Sequence, residues 1–205
     1  MIETFKRNWP KYLTEAAALA CFMISACIIV VLLEYPGSSM HARIPNGTIR
    51  LYIVGAELGI TAYLLVVSNW GKRSGPHMNP AFTLSFFLLG EIAFWDAFFY
   101  IIFQFMGGMG GVFLSSTVLG ASLAHPSVGW VVTVPGQRGN TVAFIAEFLM
   151  SSVLMGSVLI FGSSKRLERW SPILVGLLIG GYIAFETRRA GTGSVALPTG
   201  ASRPR

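Results

Sequence analysis

The chain has 205 residues, of which 53% are hydrophobic and 12% charged, and its formal net charge is +6. With a mean hydropathy of +0.63, a soluble domain of this size could not cover its apolar residues with polar surface. The basic residues lie in short segments between apolar runs, as in membrane loops, which argues against nucleic-acid binding. The composition therefore predicts an integral membrane protein made of helices, since each span must satisfy its own backbone hydrogen bonds.

Five apolar runs are candidate spans: four have at least the 20 or so residues that a helix needs to cross a bilayer, and the fifth is the shortest. In chain order they are 12–34, 50–70, 94–118, 141–162 and 172–186. Asn140 precedes the fourth run as a candidate N-cap, and Ser171-Pro172 opens the fifth with a cap residue followed by proline. The sequence thus predicts an all-α, multi-pass membrane protein.

The distribution of Lys and Arg predicts a cytoplasmic N-terminus, because inner loops of membrane proteins carry more positive charge than outer loops. In that orientation the inner basic residues are Lys6, Arg7, Lys11, Lys72, Arg73, Lys165, Arg166 and Arg169, and the outer ones are Arg43, Arg50 and Arg138. The last four arginines follow an odd number of spans and would lie outside, against this rule: Arg188, Arg189, Arg203 and Arg205.

A shorter apolar run, 79–89, follows the polar loop 71–78. A helix of this length is about 16 Å long, half of a hydrocarbon core of about 30 Å. The length predicts a re-entrant half-helix that ends near the bilayer midplane, with an interfacial or short loop helix as the alternative. Asn79 is a natural N-cap and Pro80 a natural first helical residue, so Asn-Pro-Ala starts a helix abruptly.

The start of this half-helix has the chemistry of a pore for neutral solutes. A helix N-terminus carries about half an elementary positive charge, which disfavours cations and protons at the membrane centre. The carbonyl groups of Gly75, Pro76 and His77 belong to non-helical backbone, which is tolerated at membrane depth where it lines a watery cavity. The Asn79 amide can cap the helix and donate to a passing solute. Taken alone, the tripeptide is also compatible with a simple capped turn.

Three glutamates interrupt the apolar helices and are costly there unless they are paired. We expect Glu15 and Glu147 to accept hydrogen bonds from backbone N–H groups of re-entrant loops; a proton relay is the alternative. Glu57 fits either such a relay or a position near the outer mouth that reaches water. The similar segments around Glu15 and Glu147 hint at an inverted repeat.

Gln104 in the third span also needs an interior partner, and the glycines that follow it at 107–111 allow close helix packing. The sequence contains no metal-ligand spacing, nucleophile–base pair or glycine-rich phosphate loop. We therefore expect no enzyme activity, no cofactor and no metal site.

Together these features resemble the major intrinsic protein (aquaporin and glycerol facilitator) family. The motifs that carry the resemblance are Asn-Pro-Ala after the second span, the glutamates of spans one and four, and Gln-Phe-x-Gly-Gly in span three. It covers roughly 9–186, and it is closest to bacterial members around Trp70 to Ala81 and at Phe185-Glu186. It implies an aquaporin-like inverted-repeat bundle that passes water or a small neutral solute such as glycerol. A homotetramer is also implied, in the cell inner membrane if the source is bacterial.

The resemblance also assigns roles to individual residues. The pore-lining set is Asn79, Pro80 and Ala81 with the carbonyl groups of Gly75, Pro76 and His77, and Pro76 stands where alanine is usual. The residues that brace the loops are Glu15, Glu147 and Gln104. Candidate positions for the selectivity filter are Leu58 or Gly59 on the second span and Tyr182 or Ile183 on the fifth.

The resemblance ends after Glu186. Family members continue there into a second Asn-Pro-Ala loop, an arginine that narrows the outer filter, and a sixth span, whereas this chain continues as TRRAGTGSVALPTGASRPR. We therefore expect an incomplete transmembrane domain, 1–186, and an aberrant polar tail, 187–205, produced by a frameshift or truncation. The alternative functions are then a non-conducting membrane protein or assembly partner and, third, a proton-coupled transporter.

Overall fold

The computed structural model describes residues 1–75, 77–132, 139–163 and 166–189, and within these ranges the chain is helical without a strand. The helices are α1 Ile2–Glu34, α2 Ser39–Arg43, α3 Gly47–Val67, α4 Asn69–Ser74, α5 Pro80–Leu88, α6 Phe94–Leu119, α7 Ala121–Ala124, α8 Asn140–Gly162 and α9 Ser171–Arg189. Short 3-10 turns lie at Gly129–Val131 and Glu168–Trp170.

Four helices, α1, α3, α6 and α8, are long and apolar enough to cross a membrane, and α9 has a shorter apolar part, Ser171–Ala184. They match the five predicted spans. The largest difference is at α1, which begins at Ile2 and not near residue 12. Hydropathy detects only the part of a helix that suits lipid, and the basic first turns of α1 continue the helix outside that part.

Helices α1 and α6 run parallel and touch through small residues. A Cβ atom on Gly107 would lie 2.1 Å from the carbonyl oxygen of Ala16, and one on Gly111 would lie 2.6 Å from that of Ala20. The two backbones are therefore in direct contact, as is common between membrane helices. In contrast, Gly110 has no described neighbour within 4 Å of such an atom, so only part of the predicted glycine run packs.

Helices α3 and α9 cross in the same manner, but antiparallel. A Cβ atom on Gly55 would lie 2.5 Å from the carbonyl oxygen of Gly180, and one on Gly59 would lie 2.4 Å from that of Gly176. Since α3 is also antiparallel to α1, the helices α1, α6 and α9 all begin at the end of the bundle where α3 ends. We call this the inner end.

At the opposite end, which we call the outer end, an ion pair links α1 and α3. Arg50 lies 3.1 Å from Glu34, and its guanidinium also donates to the carbonyl groups of Ile44 and Pro45. The pair fixes the connection between the two helices. Below it, α1 and α3 share a core of Ala26, Leu33, Val54 and Leu58.

Helix α8 is the most exposed span. Only Ala143 and Leu154 are buried along it, whereas Phe144 is 71% exposed. The predicted N-cap at Asn140 is wrong, because Asn140 is already helical and Gly139 precedes the helix without a side-chain cap. Gly139 has a φ of 85°, a conformation that glycine adopts at little cost, so the helix starts one residue earlier than expected.

Candidate functional site

Helix α5 begins abruptly at Asn79. The Asn79 side-chain oxygen accepts a hydrogen bond of 2.8 Å from the backbone N–H of Ala81, and Pro80 is the first helical residue. Pro80 lines a groove of about 740 Å³ together with Leu19 and Met23, close to the middle of the predicted first span. Asn79 is exposed, and its amide nitrogen has no hydrogen-bond partner among the described residues. That nitrogen is therefore available to donate.

The backbone just before Asn79 is irregular. Gly75 ends α4 with a φ of 69°, and Met78 has a φ of 43°. A non-glycine residue in this region is uncommon and must be held by its surroundings. Pro76, predicted to line the pore with Gly75 and His77, lies outside the described residues.

Glu15 holds this irregular backbone in place. One carboxylate oxygen accepts from the Ser74 hydroxyl at 2.8 Å and the His77 N–H at 3.1 Å, and the other accepts from the Met78 N–H at 2.7 Å. The Gln104 amide donates the fourth bond, at 3.1 Å. Glu15 is fully buried, and four donors match the acceptor capacity of a carboxylate. The structure thus joins α1, the loop and α6 at one side chain.

A second layer of contacts surrounds Gln104. Its amide also donates to the Thr83 hydroxyl at 3.0 Å, and a ring nitrogen of His77 lies 3.1 Å from the same hydroxyl. The Tyr100 hydroxyl donates to the Ser74 carbonyl at 2.7 Å, and its ring lies 5.0 Å from the His77 ring. This layer fixes the first turn of α5 against α6.

No role was predicted from the sequence for Thr83 or Tyr100. Their spacing relates them to residues that were predicted to be functional, because Thr83 lies one turn after Asn79 and Tyr100 one turn before Gln104. Residues four apart on a helix share a face, so Tyr100 and Gln104 lie on the same side of α6. The Thr83 hydroxyl lies 3.4 Å from the Asn79 carbonyl oxygen, one turn back.

Glu147, the second predicted brace, lies apart from this network. It is exposed on α8 and forms no hydrogen bond within the described part of the chain. The structure therefore does not bring Glu15 and Glu147 into one site.

Glu57 points toward α1 and not toward an outer mouth. One of its oxygens accepts from the hydroxyl groups of Ser25 and Thr61. Its second oxygen is buried and has no partner in the described ranges. The side chain thus joins α1 and α3 through a small polar cluster inside apolar helices.

The candidate filter residues fall near the crossing of α3 and α9. Leu58 is buried in the core shared by α1 and α3, and Ile183 packs against that core. Gly59 faces Gly176 at the crossing, and Tyr182 is half-buried on α9. Leu58 and Ile183 thus belong to the same apolar cluster. In the part of the chain that the structure describes, no group of His, Cys, Asp and Glu side chains could hold a metal ion.

The sequence model of the family described as "Major intrinsic protein" matches residues 3–196. The probable glycerol uptake facilitator protein of Thermotoga maritima is 24% identical, over 73% of this chain and 71% of that protein. The lens fiber major intrinsic protein of Gallus gallus is 32% identical, over 65% of this chain and 50% of that protein. A probable aquaporin of Archaeoglobus fulgidus is 30% identical, over 60% of this chain and 50% of that protein. The chain thus spans about half the length of two of these relatives.

The fold matches the X-ray structure of the aquaglyceroporin from Plasmodium falciparum, with a TM-score of 0.67 and 13% sequence identity over 89% of this chain and 73% of that one. The match confirms the predicted aquaporin-like fold of a multi-pass integral membrane protein. Members of the matched family are channels and not enzymes, in agreement with the expectation of no enzyme activity. The chain belongs to the major intrinsic protein family.

Proposed function

We propose that this chain forms a passive channel for water or a small neutral solute such as glycerol. The observation that carries the proposal is the start of α5: an exposed Asn79 amide without a partner in the described residues, held at mid-span by the Glu15 network. A neutral solute that enters a narrow pore loses hydrogen bonds to bulk water, and such a donor replaces one of them. A relative named as a probable glycerol uptake facilitator supports the solute class.

The charge distribution at this site favours neutral solutes over ions. The N-terminus of α5 contributes partial positive charge and so repels cations and protons. The nearby carboxylate of Glu15 is fully buried and occupied by four donors, so it offers no cation site on the path.

The proposed pore lining follows the same region. The carbonyl groups from Gly75 to His77 would face the solute on the inner side of Asn79, with Pro80 and Ala81 beside it. Leu58 or Gly59 on α3 and Tyr182 or Ile183 on α9 would form the outer filter. The transmembrane domain that holds this pore would lie within 1–186, and 187–205 would lie beyond it.

We also propose the orientation and assembly expected from the sequence. The exposed basic residues at the inner end support a cytoplasmic N-terminus, by the positive-inside rule. A homotetramer, with one pore in each protomer, would agree with family membership. In a bacterial cell the protein would lie in the inner membrane.

A second candidate is a non-conducting membrane protein or assembly partner. It is favoured by one observation: within the described ranges α5 is the only half-helix of this kind, and Glu147, on the other predicted repeat, is exposed. A proton-coupled transporter has less support, because Glu15 is occupied and Glu57 lies in a separate cluster.

Flux measurements on the purified chain in proteoliposomes separate these functions. A passive channel gives osmotic water or glycerol permeability several-fold above protein-free vesicles, with no dependence on a pH gradient. Background permeability for both would contradict the channel and favour the non-conducting protein. Solute uptake that follows an imposed pH gradient would favour the transporter.

A further inference from the structure

The first turns of α1 extend beyond the part that lipid tails can cover. The helix has 33 residues, which makes it about 50 Å long, against about 30 Å for a hydrocarbon core. Its predicted span begins at residue 12, so residues 2–11 add about 15 Å at the inner end. This segment, which we call the α1 extension, therefore crosses the layer of lipid headgroups, which is about 5 to 8 Å thick on each side.

The α1 extension is docked on the bundle along one face. The Asn8 amide donates to the Asp96 carboxylate at 2.8 Å, and the Tyr12 hydroxyl donates to the same oxygen at 2.5 Å. The Phe5 ring lies 5.0 Å from that of Phe99 on α6. These contacts fix the rotation of the helix and decide which residues face outward.

The outward surface of the α1 extension is amphipathic. Ile2 and Trp9, seven residues apart on one stripe, are 62% and 47% exposed, and Leu13 continues the stripe at 51%. Lys6 is exposed on this same stripe, whereas Arg7 and Lys11 are exposed farther around the helix. None of the three forms an ion pair within the described residues. Exposed tryptophan and unpaired basic side chains at the end of a span are typical of the layer where the span leaves the hydrocarbon core.

The rest of the inner end also exposes tryptophan and basic side chains. Trp70, Trp95 and Trp170 are exposed there, and tryptophan favours the interface between lipid and water. The neighbouring exposed basic residues are Lys72, Arg73, Arg166 and Arg169. The described acidic residues at this end are Glu3, Glu91, Asp96 and Glu168. Glu3 and Glu91 are exposed, and Asp96 is bound to Asn8 and Tyr12. Positive charge therefore predominates at the α1 extension.

We propose that the α1 extension binds the headgroups of anionic phospholipids. The side chains of Lys6, Arg7 and Lys11 contact the headgroup phosphates, and Trp9 and Leu13, which lie nearest the start of the predicted span, contact the upper parts of the acyl chains. Lipid fits this surface better than a protein partner does, because the surface lies at headgroup depth and combines unpaired cations with tryptophan. Each basic residue near an anionic membrane strengthens such binding about fivefold.

Native mass spectrometry of the detergent-solubilised full chain tests this proposal, with phosphatidylglycerol or phosphatidylcholine of the same acyl chains added. We expect phosphatidylglycerol to bind at least about tenfold more tightly than phosphatidylcholine, and less tightly at higher salt. Arg7→Gln lowers that affinity about fivefold, and the triple variant K6Q/R7Q/K11Q removes the preference. The matched control is Arg43→Gln, which removes an exposed arginine at the outer end.

Equal binding of the two lipids by the unmodified chain, or an unchanged preference in the triple variant, would overturn the proposal. An equal loss in the Arg43→Gln control would also overturn it, because the effect would then follow net charge. If the triple variant instead changes the number of protomers in the complex and leaves lipid binding unchanged, the surface contacts a second copy of the chain. Circular dichroism of each variant checks that its helix content is retained.

Discussion

At the scale of single residues, Glu15 connects more of the site than any other side chain in the described ranges. Its carboxylate accepts from a hydroxyl, two backbone N–H groups and an amide, which belong to α4, the loop and α6. One of the two N–H groups is that of Met78, whose backbone is in the left-handed region. A carboxylate suits this position because it accepts at both oxygens and donates from neither.

We expect Glu15→Gln to destabilise the protein by about 3 kcal/mol, because one acceptor oxygen becomes an NH₂ group that faces buried donors. Unfolding of the purified protein in mixed micelles, followed by circular dichroism, measures the change. The matched control is Glu3→Gln, an exposed position on the same helix, which we expect to leave stability nearly unchanged. Equal stabilities of the two variants would show that the four hydrogen bonds contribute little.

We also expect a substitution at Thr83 to lower the stability of the protein. Its hydroxyl contacts both Gln104 and His77 and is fully buried. Thr83→Val keeps the shape but leaves the two partners unsatisfied, at a cost of about 2 kcal/mol. Thr117→Val on the exposed face of α6 is the control, and the same unfolding assay applies. A loss as small as that of the control would mean that water replaces the hydroxyl.

At the scale of helices, close backbone contact sets the geometry of the bundle. The four glycines at the crossing of α3 and α9, and Gly107 with Gly111 on α6, all face backbone atoms. Backbone cannot move aside as a flexible side chain can. The positions of α1 and α6, and hence of the groups that meet at Glu15, therefore depend on the absence of Cβ atoms.

Gly107→Ala tests this dependence, because its Cβ atom would lie 2.1 Å from the Ala16 oxygen. We expect a loss of stability of about 2 kcal/mol from the forced separation of α1 and α6. Gly110→Ala, three residues away in the same helix, meets no described atom within 4 Å and should be neutral or slightly stabilising, because alanine favours helix. Equal effects of the two substitutions would contradict the packing described here.

For the whole molecule, the spans and the start of the half-helix could be predicted from hydropathy and helix-cap residues. The side-chain contacts between helices could not be predicted from the sequence. The spans and the start of α5 at Asn79 were predictable because lipid demands long apolar helices and Asn-Pro starts a helix sharply. The α1 extension was missed because it is polar, and the N-cap at Asn140 was wrong because Gly139 supplies the turn. The pairing of Glu57 with Ser25 depends on how α1 faces α3, which no local pattern specifies.

In the proposed channel, neutral solutes pass the start of α5 and are bound there by Asn79. Stopped-flow light scattering of proteoliposomes, comparing the unmodified chain with Asn79→Ala and with the control Asn140→Ala at an exposed position on α8, tests it most directly. We predict osmotic permeability above that of protein-free vesicles, unchanged in the control and reduced at least about fivefold in Asn79→Ala. This substitution removes the amide donor, a loss of about 1 kcal/mol for one hydrogen bond, and also the cap on the Ala81 N–H. Equal permeability of all three proteins would show that Asn79 does not bind the solute, and permeability no higher than the lipid background would show that the chain forms no channel.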